Sequence, residues 1–469
     1  MAGVKQGNIK LASVIAETGW SHAQVAAAFG RVAVENGARG QGRVGRSHVS
    51  HWVAGSTPSG CAPAILRETL SRRLDRVVTL GELGLTDQSG PAAEALDWDA
   101  DTLIGLADLG RVDVDMERRQ VLTLATFSVG ALALPNQAWW TRMAGPGRPD
   151  PAAGARSVGR GDLEAVREMV SVFSRMDQRR GGGHARSAVV QYLTTDVAGY
   201  LRGGYPDPQV RREMFSAAGE LAYLSGWMAF DNGEQAVAQH YFSAAVKLAA
   251  EADDPPIVGH VLRAMAHQAI DLGHYRQGVE LAAASMEGRR YALACPRERA
   301  LFGVVYARAL GACGDRIAAA AALIKAENDL AEATAREDEE PFRVFFFGEA
   351  SLANQTGCTL RESGDLAGAA KEFRRSVRTR KAATFTRTHA VTLGYLGAVQ
   401  ARSGNIDEAC TSWSAALSAM DGVHSARTRQ VVVDMRSALS PFRRRGIPAA
   451  AELDARAGAY LSGAYQAGV

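Results

Sequence analysis

The 469-residue sequence predicts an all-α protein whose C-terminal half is built from repeated helix pairs. Aromatic residues make up only 7% of the chain, whereas 49 residues are glycine and the periodic segments are rich in alanine. Small side chains favour closely packed helices over a β-sandwich, which needs more β-branched and aromatic residues. A repeat supports this fold class. Glycines in turn contexts are separated by 40, 41, 50 and 40 residues, at Gly233, Gly273, Gly314, Gly364 and Gly404.

Residue size around these glycines follows a fixed pattern. A small residue lies seven positions before each glycine, and another lies five positions after it. Nine positions after the glycine there is a bulky apolar residue in four of the five repeats, as at Phe242, Phe373 and Trp413. Small residues at fixed offsets let two helices approach closely, and the bulky residue fills the space to the next pair. The pattern predicts stacked helix pairs over residues 215–420.

These offsets resemble the tetratricopeptide repeat, and residues 357–376 and 397–416 match it best. A period near 40 residues, rather than about 34, departs from that repeat and implies longer helices or loops. The resemblance implies a tetratricopeptide-like α-solenoid. We expect a helical connecting region at 118–214 before it and capping helices at 421–469 after it.

A solenoid of this kind has an inner groove lined by the first helix of each pair. Counting back from the turn glycines selects candidate groove residues with aromatic, imidazole, guanidinium and amide groups: Tyr223, Trp227, His260, Arg263, His267, Arg308 and Asn354. Such groups bind main-chain amides and carboxylates, so we expect the groove to hold a peptide, a small-molecule effector or a protein client. The alternative is that several of these residues only pack against the neighbouring repeat.

Residues 1–80 predict a small helical domain. Ser21 and Gln24 have the spacing of a capping box at the start of a helix. A Gly- and Arg-rich turn follows, and then a short helix at 46–54 in which Val49 and Trp52 share an inward stripe. Polar and basic side chains remain on the outward side and in the turn, namely Arg43, Arg46, Ser47, His48, Ser50 and His51. Such a surface suits contacts with the base edges and phosphates of double-stranded DNA.

Residues 47–58 resemble the recognition helix of phage-repressor-like (xenobiotic-response-element, XRE-type) helix-turn-helix proteins. In that family a Ser-rich helix with an inward aliphatic residue and a Trp is followed by Gly and then by Pro. The turn before this helix is several residues longer here than the tight turn of the family. The resemblance implies an N-terminal helix-turn-helix DNA-binding domain at 1–80. The alternative is a small helical bundle used for dimerisation.

Charge is unevenly distributed, although the formal net charge of the chain is only +3. Residues 1–80 contain ten Lys and Arg against four Asp and Glu, whereas residues 81–117 contain ten acids against one base. A basic domain followed by an acidic linker is typical of a polyanion-binding module on a tether that does not bind the polyanion. A second basic cluster runs from Lys371 to Arg387, and we expect it on a solvated convex face, with a second phosphate-contacting surface as the alternative.

The sequence has no motif typical of an enzyme, a metal centre or a cofactor site. A phosphate-binding loop, a dinucleotide fingerprint, a nucleophile elbow and a zinc-protease helix are all missing. His260, His267 and His274 are seven residues apart, about 10 Å along a helix, which is too far for one ion. The five cysteines are scattered and odd in number, which favours a reducing compartment. We therefore expect no catalysis, no metal and no cofactor.

An apolar run of 14 residues follows Arg118 and Arg119 and ends at Leu134. It is shorter than the ~20 residues that a membrane-spanning helix needs. We expect a buried helix that links the two halves, with membrane association as the alternative. The first residues are polar and do not resemble a signal peptide, so a cytoplasmic protein is expected.

The order of a phage-repressor-like domain, an acidic linker and a repeat array resembles the actinobacterial helix-turn-helix and tetratricopeptide regulators. These include negative regulators of sporulation and antibiotic production, and residues 173–182 resemble the middle region of that family. The resemblance implies a cytoplasmic, homodimeric transcriptional regulator, such as a repressor, whose repeats sense a ligand that modulates DNA binding. The rival interpretation is a tetratricopeptide scaffold or adaptor without specific DNA binding.

Overall fold

A computed structural model describes residues 7–36, 38–85, 98–116, 127–145, 156–335, 340–444 and 448–466. Within these ranges the regular structure is helical, and the one β-type pairing is an isolated bridge between Ser157 and Gly204. Most helices pack against the helix that follows them in the chain, and each such pair packs on the next. The predicted all-α fold with a solenoid-like arrangement of helix pairs is therefore confirmed.

Four helices form the N-terminal domain: α1 (Ile9–Glu17), α2 (His22–Glu35), α3 (Arg46–Val53) and α4 (Ala62–Leu74). Ser21 and Gln24 make the reciprocal hydrogen bonds of the predicted capping box at the start of α2. The long connection between α2 and α3 contains a 3-10 turn, Arg39–Arg43. The apolar core continues through Leu83 and Leu85. Residues 81–85 therefore belong to this core and not to the acidic linker that the sequence predicted.

A connecting region packs between the N-terminal domain and the array. It comprises α5 (Thr102–Met116), the 3-10 turn Val129–Leu132, α6 (Gln137–Met143), α7 (Arg160–Arg180), α8 (Arg186–Tyr192), the π turn Leu193–Val197 and α9 (Ala198–Leu201). The buried Asp113 of α5 accepts hydrogen bonds from Arg186 at 2.6 Å and from Tyr241 at 2.9 Å. Helix α5, which lies within the predicted acidic linker, is thus packed against the rest of the chain. Its carboxylate can be buried because two side chains donate hydrogen bonds to it.

Five helix pairs follow: α10 (Pro208–Asp231) with α11 (Gln235–Glu251), α12 (Pro255–Asp271) with α13 (Tyr275–Ser285), α15 (Pro296–Ala312) with α16 (Arg316–Ala335), α17 (Glu349–Glu362) with α18 (Leu366–Thr379), and α19 (Thr386–Arg402) with α20 (Ile406–Ala419). The short α14 (Arg289–Ala292) joins the second and third pairs, and α21 (Ala426–Arg444) and α22 (Pro448–Gln466) follow the fifth. The five predicted turn glycines lie between the helices of the five pairs, with φ between 82° and 88°. Glycine adopts this left-handed region at little cost.

The small and bulky residues of the repeat pattern meet inside each pair. A Cβ atom added to Gly226 would lie 2.7 Å from the ring of Phe242, and one added to Gly397 would lie 2.5 Å from Trp413. Both aromatic rings are fully buried. In these two pairs the first helix therefore needs glycine at this position, because the ring from the second helix occupies the space of a side chain.

Helix α7 lies across the inner face of the array. It packs on α10 and also contacts α19 and the 3-10 turn Phe342–Val344. Asp177, near its C-terminus, accepts a hydrogen bond from Arg387 of α19 at 2.8 Å. The next turn is held on α10, where the N–H of Gly182 donates to Asp231 at 2.9 Å. Because α7 joins the first pair to the fifth, the inner groove is not open along its length. It differs in this respect from a groove that binds an extended peptide.

The N-terminal domain packs on the array through α4. Glu68 of α4 is fully buried and accepts a hydrogen bond of 2.6 Å from Nε2 of His274, in the turn between α12 and α13. The ring of Phe127 stacks on His274 with 5.6 Å between centroids. The N–H of Phe127 donates to Asn36, which follows α2, at 3.0 Å. These contacts fix the orientation of the domain relative to the second helix pair.

The apolar run after Arg118 is described only in part, since residues 117–126 lie outside the described ranges. Its described end forms the 3-10 turn Val129–Leu132, in place of the predicted helix, and buries Phe127, Val129 and Leu132 in the main core. In the described ranges no helix combines the length and the apolar character that crossing a bilayer requires.

Candidate functional site

Helix α3 presents an exposed polar and basic surface on top of a buried apolar stripe. Val49 and Trp52 point inward, and the ring of Trp52 lies 5.5 Å from that of Phe29 in α2. Five of the six residues that the sequence selected for DNA contact are exposed, namely Arg43, Arg46, Ser47, His48 and His51. The inward stripe fixes the rotation of the helix, and this fixed rotation turns the polar side chains to the outside.

Ser50 differs from the prediction, because it is only half exposed. Its hydroxyl is 2.9 Å from Nδ1 of His22, the first residue of α2, so the two side chains join the helices of the motif. His48 also has a structural contact, since its Nδ1 accepts the N–H of Gly45 at 3.1 Å, before the helix begins. The capping serine before His22 marks the start of α2, but no local sequence signal pairs residues 28 positions apart.

The outward face of α3 lies away from the docking contacts. Within the described ranges, hydrogen bonds join the domain to the rest of the chain at Asn36, which follows α2, and at Glu68 of α4. The array therefore carries the N-terminal domain without covering the side chains that the sequence assigned to DNA.

The docking contact at Glu68 is charge-assisted. Burial raises the pKa of this carboxyl, but hydrogen bonds and charges from His274 and Arg72 outweigh burial and hold the pKa below its ordinary value. Arg72 donates its Nε–H to Glu68 at 2.8 Å. The carboxylate is thus ionised at neutral pH, and its hydrogen bonds are of the stronger, charged kind. No local sequence signal pairs residues 206 positions apart.

A cavity of about 90 Å³ lies between α7 and the inner face of the array. Five of the seven predicted groove residues line it: Tyr223, Trp227, Arg263, His267 and Asn354. From the opposite side, α7 contributes Val170, Ser174 and Asp177. The prediction of an open groove is therefore corrected to a partly enclosed cavity, because α7 of the same chain lies over this part of the groove.

Arg263 is the most buried charge of the predicted set, with 2% of its surface exposed. Its guanidinium carbon is 5.6 Å from the ring centroids of both Tyr223 and Trp227, a cation–π geometry. It donates to the Tyr223 hydroxyl at 2.9 Å and to Nε2 of His260 at 2.8 Å. Its Nε has no hydrogen-bond partner, and no carboxylate of a described residue forms an ion pair with it.

Two cavity arginines that sequence reasoning missed are paired with carboxylates. Arg343 lies 2.7 Å from Glu298 and 3.2 Å from Glu220. Arg387 binds Asp177, and burial raises the pKa of that aspartate to about 6 although the charge of Arg387 opposes the shift. The sequence placed Arg387 at the end of a solvated basic cluster, and the structure corrects this, since 2% of the side chain is exposed.

Arg380 also lines the cavity and is also buried, contrary to the predicted solvated face. It donates to the carbonyl of Ala350 at 2.8 Å and to the hydroxyl of Ser376 at 3.2 Å. Its Nε has no partner, and no described carboxylate pairs with it. Burial lowers the pKa of Arg380 to about 10, so the side chain remains charged at neutral pH.

Two predicted groove residues do not line the cavity. His260 lies behind Arg263, and burial together with the charges of Arg263 and Arg343 holds its pKa well below the ordinary value. Arg308 pairs with Asp271 at 2.8 Å and with Glu362 at 2.9 Å, which ties three successive pairs together. The structure thus reassigns His260 and Arg308 to internal packing, the alternative that the sequence left open.

His267 does line the cavity, and burial lowers its pKa to about 3, which makes it neutral. The three histidines at seven-residue spacing therefore have separate surroundings. His274 contacts the N-terminal domain, His267 faces the cavity and His260 supports Arg263. In the part of the chain that the structure describes, no group of three or more His, Cys, Asp or Glu side chains is arranged to hold a metal ion.

A comparison with protein families matches residues 11–86 to a family described as the SP15 N-terminal domain. The match begins inside α1 and ends one residue after Leu85, the last leucine of the N-terminal core. No curated protein matches the chain, and neither does any solved structure.

Proposed function

We propose that this protein is a DNA-binding transcriptional regulator, with α3 as the helix that enters the major groove. The observation that supports this most directly is the exposed face of Arg46, Ser47, His48 and His51, carried on a buried Val49–Trp52 stripe and left free by the array. Arginine, histidine and serine side chains bond base edges, and the exposed Arg43 in the turn before α3 is suited to phosphates.

A single small helix-turn-helix binds DNA weakly, so a homodimer on two half-sites is part of the proposal. The half-sites would lie about 34 Å apart or a multiple of that distance. A cytoplasmic location and a repressor or activator role follow from the same proposal, because an intracellular DNA target is required.

Helix α12 supplies a physical route from the cavity to the DNA-binding domain. Arg263 and His267 of α12 line the cavity, and α12 ends at Asp271, three residues before the His274 that binds Glu68. A ligand that moves α12 would therefore move the docking contact of the N-terminal domain. Such a ligand shifts the equilibrium between an arrangement of the domains that binds DNA and one that does not. The size of the shift is set by the difference in the affinity of the ligand for the two arrangements.

The test begins with genomic fragments selected by the purified full-length protein, whose binding is then measured by fluorescence anisotropy. We expect Arg46→Ala and His51→Ala to weaken specific binding by about 1–3 kcal/mol each. Arg276→Ala, on an exposed arginine of the array, is the matched control and should have no effect. If both α3 variants bind the selected fragment as tightly as the wild type, α3 is not the recognition helix.

A scaffold or adaptor function is the second candidate, and one observation favours it. Ile317 and Ile324 of the outer helix α16 are 87% and 60% exposed, and their seven-residue spacing places both on one side of the helix. A docked client would cover such residues. The affinity of full-length protein for random duplex separates the candidates, since a DNA-binding protein loses affinity steeply as salt rises and a scaffold shows no such binding.

A further inference from the structure

Two arginines that line the cavity beneath α7 are buried without an ion-pair partner among the described residues. Arg263 is 2% exposed and Arg380 is 7% exposed, and both line the same cavity. Among the described residues neither forms an ion pair, and in each of them, as in Arg387, Nε lacks a hydrogen-bond partner. The neighbouring Arg343 and Arg387 show the usual solution, since each is paired with carboxylates of the protein.

Burying an unpaired charge is costly, because the charge loses the solvation of water and gains nothing in return. Arg380 directly follows α18, and its guanidinium is held at the cavity by hydrogen bonds to Ala350 and Ser376. Two such residues around one cavity indicate that the missing negative charge is supplied from outside the chain.

We propose that this cavity binds a small anion that carries a carboxylate or phosphate group and an apolar body. Arg263 and Arg380 would bind the anionic group, because a guanidinium presents several donors in a fork that matches both oxyanions. The apolar body would lie against Tyr223, Trp227 and Phe346, which line the same space. The role of this ligand as an effector rests on the proposed function, whereas the binding of the anion does not.

Two further features define the ligand. Oε1 of Gln355 lines the cavity region without a hydrogen-bond partner, so a hydroxyl or amino group on the ligand would satisfy it. The volume of about 90 Å³ is far below the several hundred Å³ of a drug-sized site. A small hydroxy or amino acid anion, or a small phosphate ester, fits these limits, whereas a folded peptide does not.

The experiment measures binding of three probes to the full chain by calorimetry and by the thermal midpoint of unfolding. The probes are inorganic phosphate, succinate and 4-hydroxybenzoate. We expect at least one of them to bind with one site per chain and to raise the midpoint. Binding of phosphate alone identifies a phosphoryl ligand, and binding of a carboxylate identifies an organic acid.

Variants separate a ligand-binding arginine from a structural one. Arg263→Met and Arg380→Met should weaken probe binding by about tenfold or more, since a charged hydrogen bond is lost. Without a probe, Arg380→Met should keep or raise the thermal midpoint, because it removes a buried unpaired charge. Arg387→Met is the contrasting control and should lower the midpoint, since it leaves Asp177 without its partner. Arg276→Met, on the exposed surface, should change neither quantity.

Two results would overturn the proposal. One is that none of the three probes binds the wild type, or that the probes bind the wild type and both cavity variants equally tightly. The other is a thermal midpoint for Arg380→Met that falls as far as that of Arg387→Met, which would make Arg380 a structural residue. If Arg263→Met fails to fold, Arg263→Lys keeps the charge but not the planar fork, and it should still weaken the binding of the probe. None of these measurements involves DNA, so their failure is distinct from a failure to bind an operator.

Discussion

Substitution of His274 by alanine should release the N-terminal domain from the array. The change removes the hydrogen bond to Glu68 and the stacking of Phe127 on the imidazole ring. Glu68 keeps its contact with Arg72, so the full cost of an orphaned buried charge does not arise. The loss is then about 1.5–3 kcal/mol for a charged hydrogen bond and about 0.5–1.5 kcal/mol for the ring contact.

The two contributions sum to about 2–4.5 kcal/mol, which changes the ratio of docked to undocked molecules by roughly 30- to 2,000-fold. The lowered pKa of Glu68 sets the conditions. A carboxyl with a lowered folded-state pKa stabilises docking above its ordinary value of 4.5, and this stabilisation is lost as the pH falls through the folded value. The contact is therefore fully present at pH 7, where the measurement belongs.

Small-angle X-ray scattering at pH 7 measures the release as an increase in the radius of gyration. Calorimetry of the same samples should show a separate, lower-temperature transition for the N-terminal domain in His274→Ala. Tyr275→Ala is the matched control, because Tyr275 is the next residue and is 41% exposed. An unchanged scattering profile and an unchanged single transition in His274→Ala would refute the assignment of this contact as the element that docks the domain.

Two further predictions concern the array and α7, which packs on it. Gly357→Ala should lower the thermal midpoint of unfolding by several degrees, because the added Cβ would lie 2.7 Å from the ring of Phe373. Circular dichroism melting measures this midpoint, and an unchanged midpoint would contradict the prediction. Asp177→Asn should flatten the pH dependence of stability. Burial raises the pKa of Asp177 to about 6, so the folded protein favours the neutral carboxyl more than the unfolded chain does. The resulting stabilisation of the fold is about 3 kcal/mol; it is full below pH 4 and is lost as the pH rises through 6. The neighbouring side chains of Arg387 and Asp231 stay unchanged in that variant. Parallel curves of unfolding free energy against pH for the wild type and the variant would contradict the raised pKa of Asp177.

The repeat array was predictable from the sequence because its rules are local. Each turn requires a residue with positive φ, and each pair requires a small residue where a bulky one from the next helix packs. Gly397 and Trp413 illustrate this, since their separation of 16 residues is the same as that of Gly226 and Phe242. A constraint that repeats at fixed spacing is visible without coordinates.

The candidate residues of α3 were predictable for a similar reason. Val49 and Trp52 fix the inward side of a short helix, and the remaining side chains must then face outward. Ser50 departs from this pattern because His22, 28 residues away, lies within hydrogen-bond distance of its hydroxyl. A contact between two helices decides the position of one side chain, and helical periodicity contains no information about that contact.

The sequence by itself determined the helix pairs, their turns and the polar face of α3, since periodicity and residue size act over short distances. The tertiary structure alone decided that α7 covers the inner groove, that Glu68 meets His274, and that Arg263 and Arg380 share a cavity. Each of these facts depends on segments far apart in the chain. Burial and charge pairing are properties of the packed state, so the environment of an arginine is fixed only when its distant neighbours are in place.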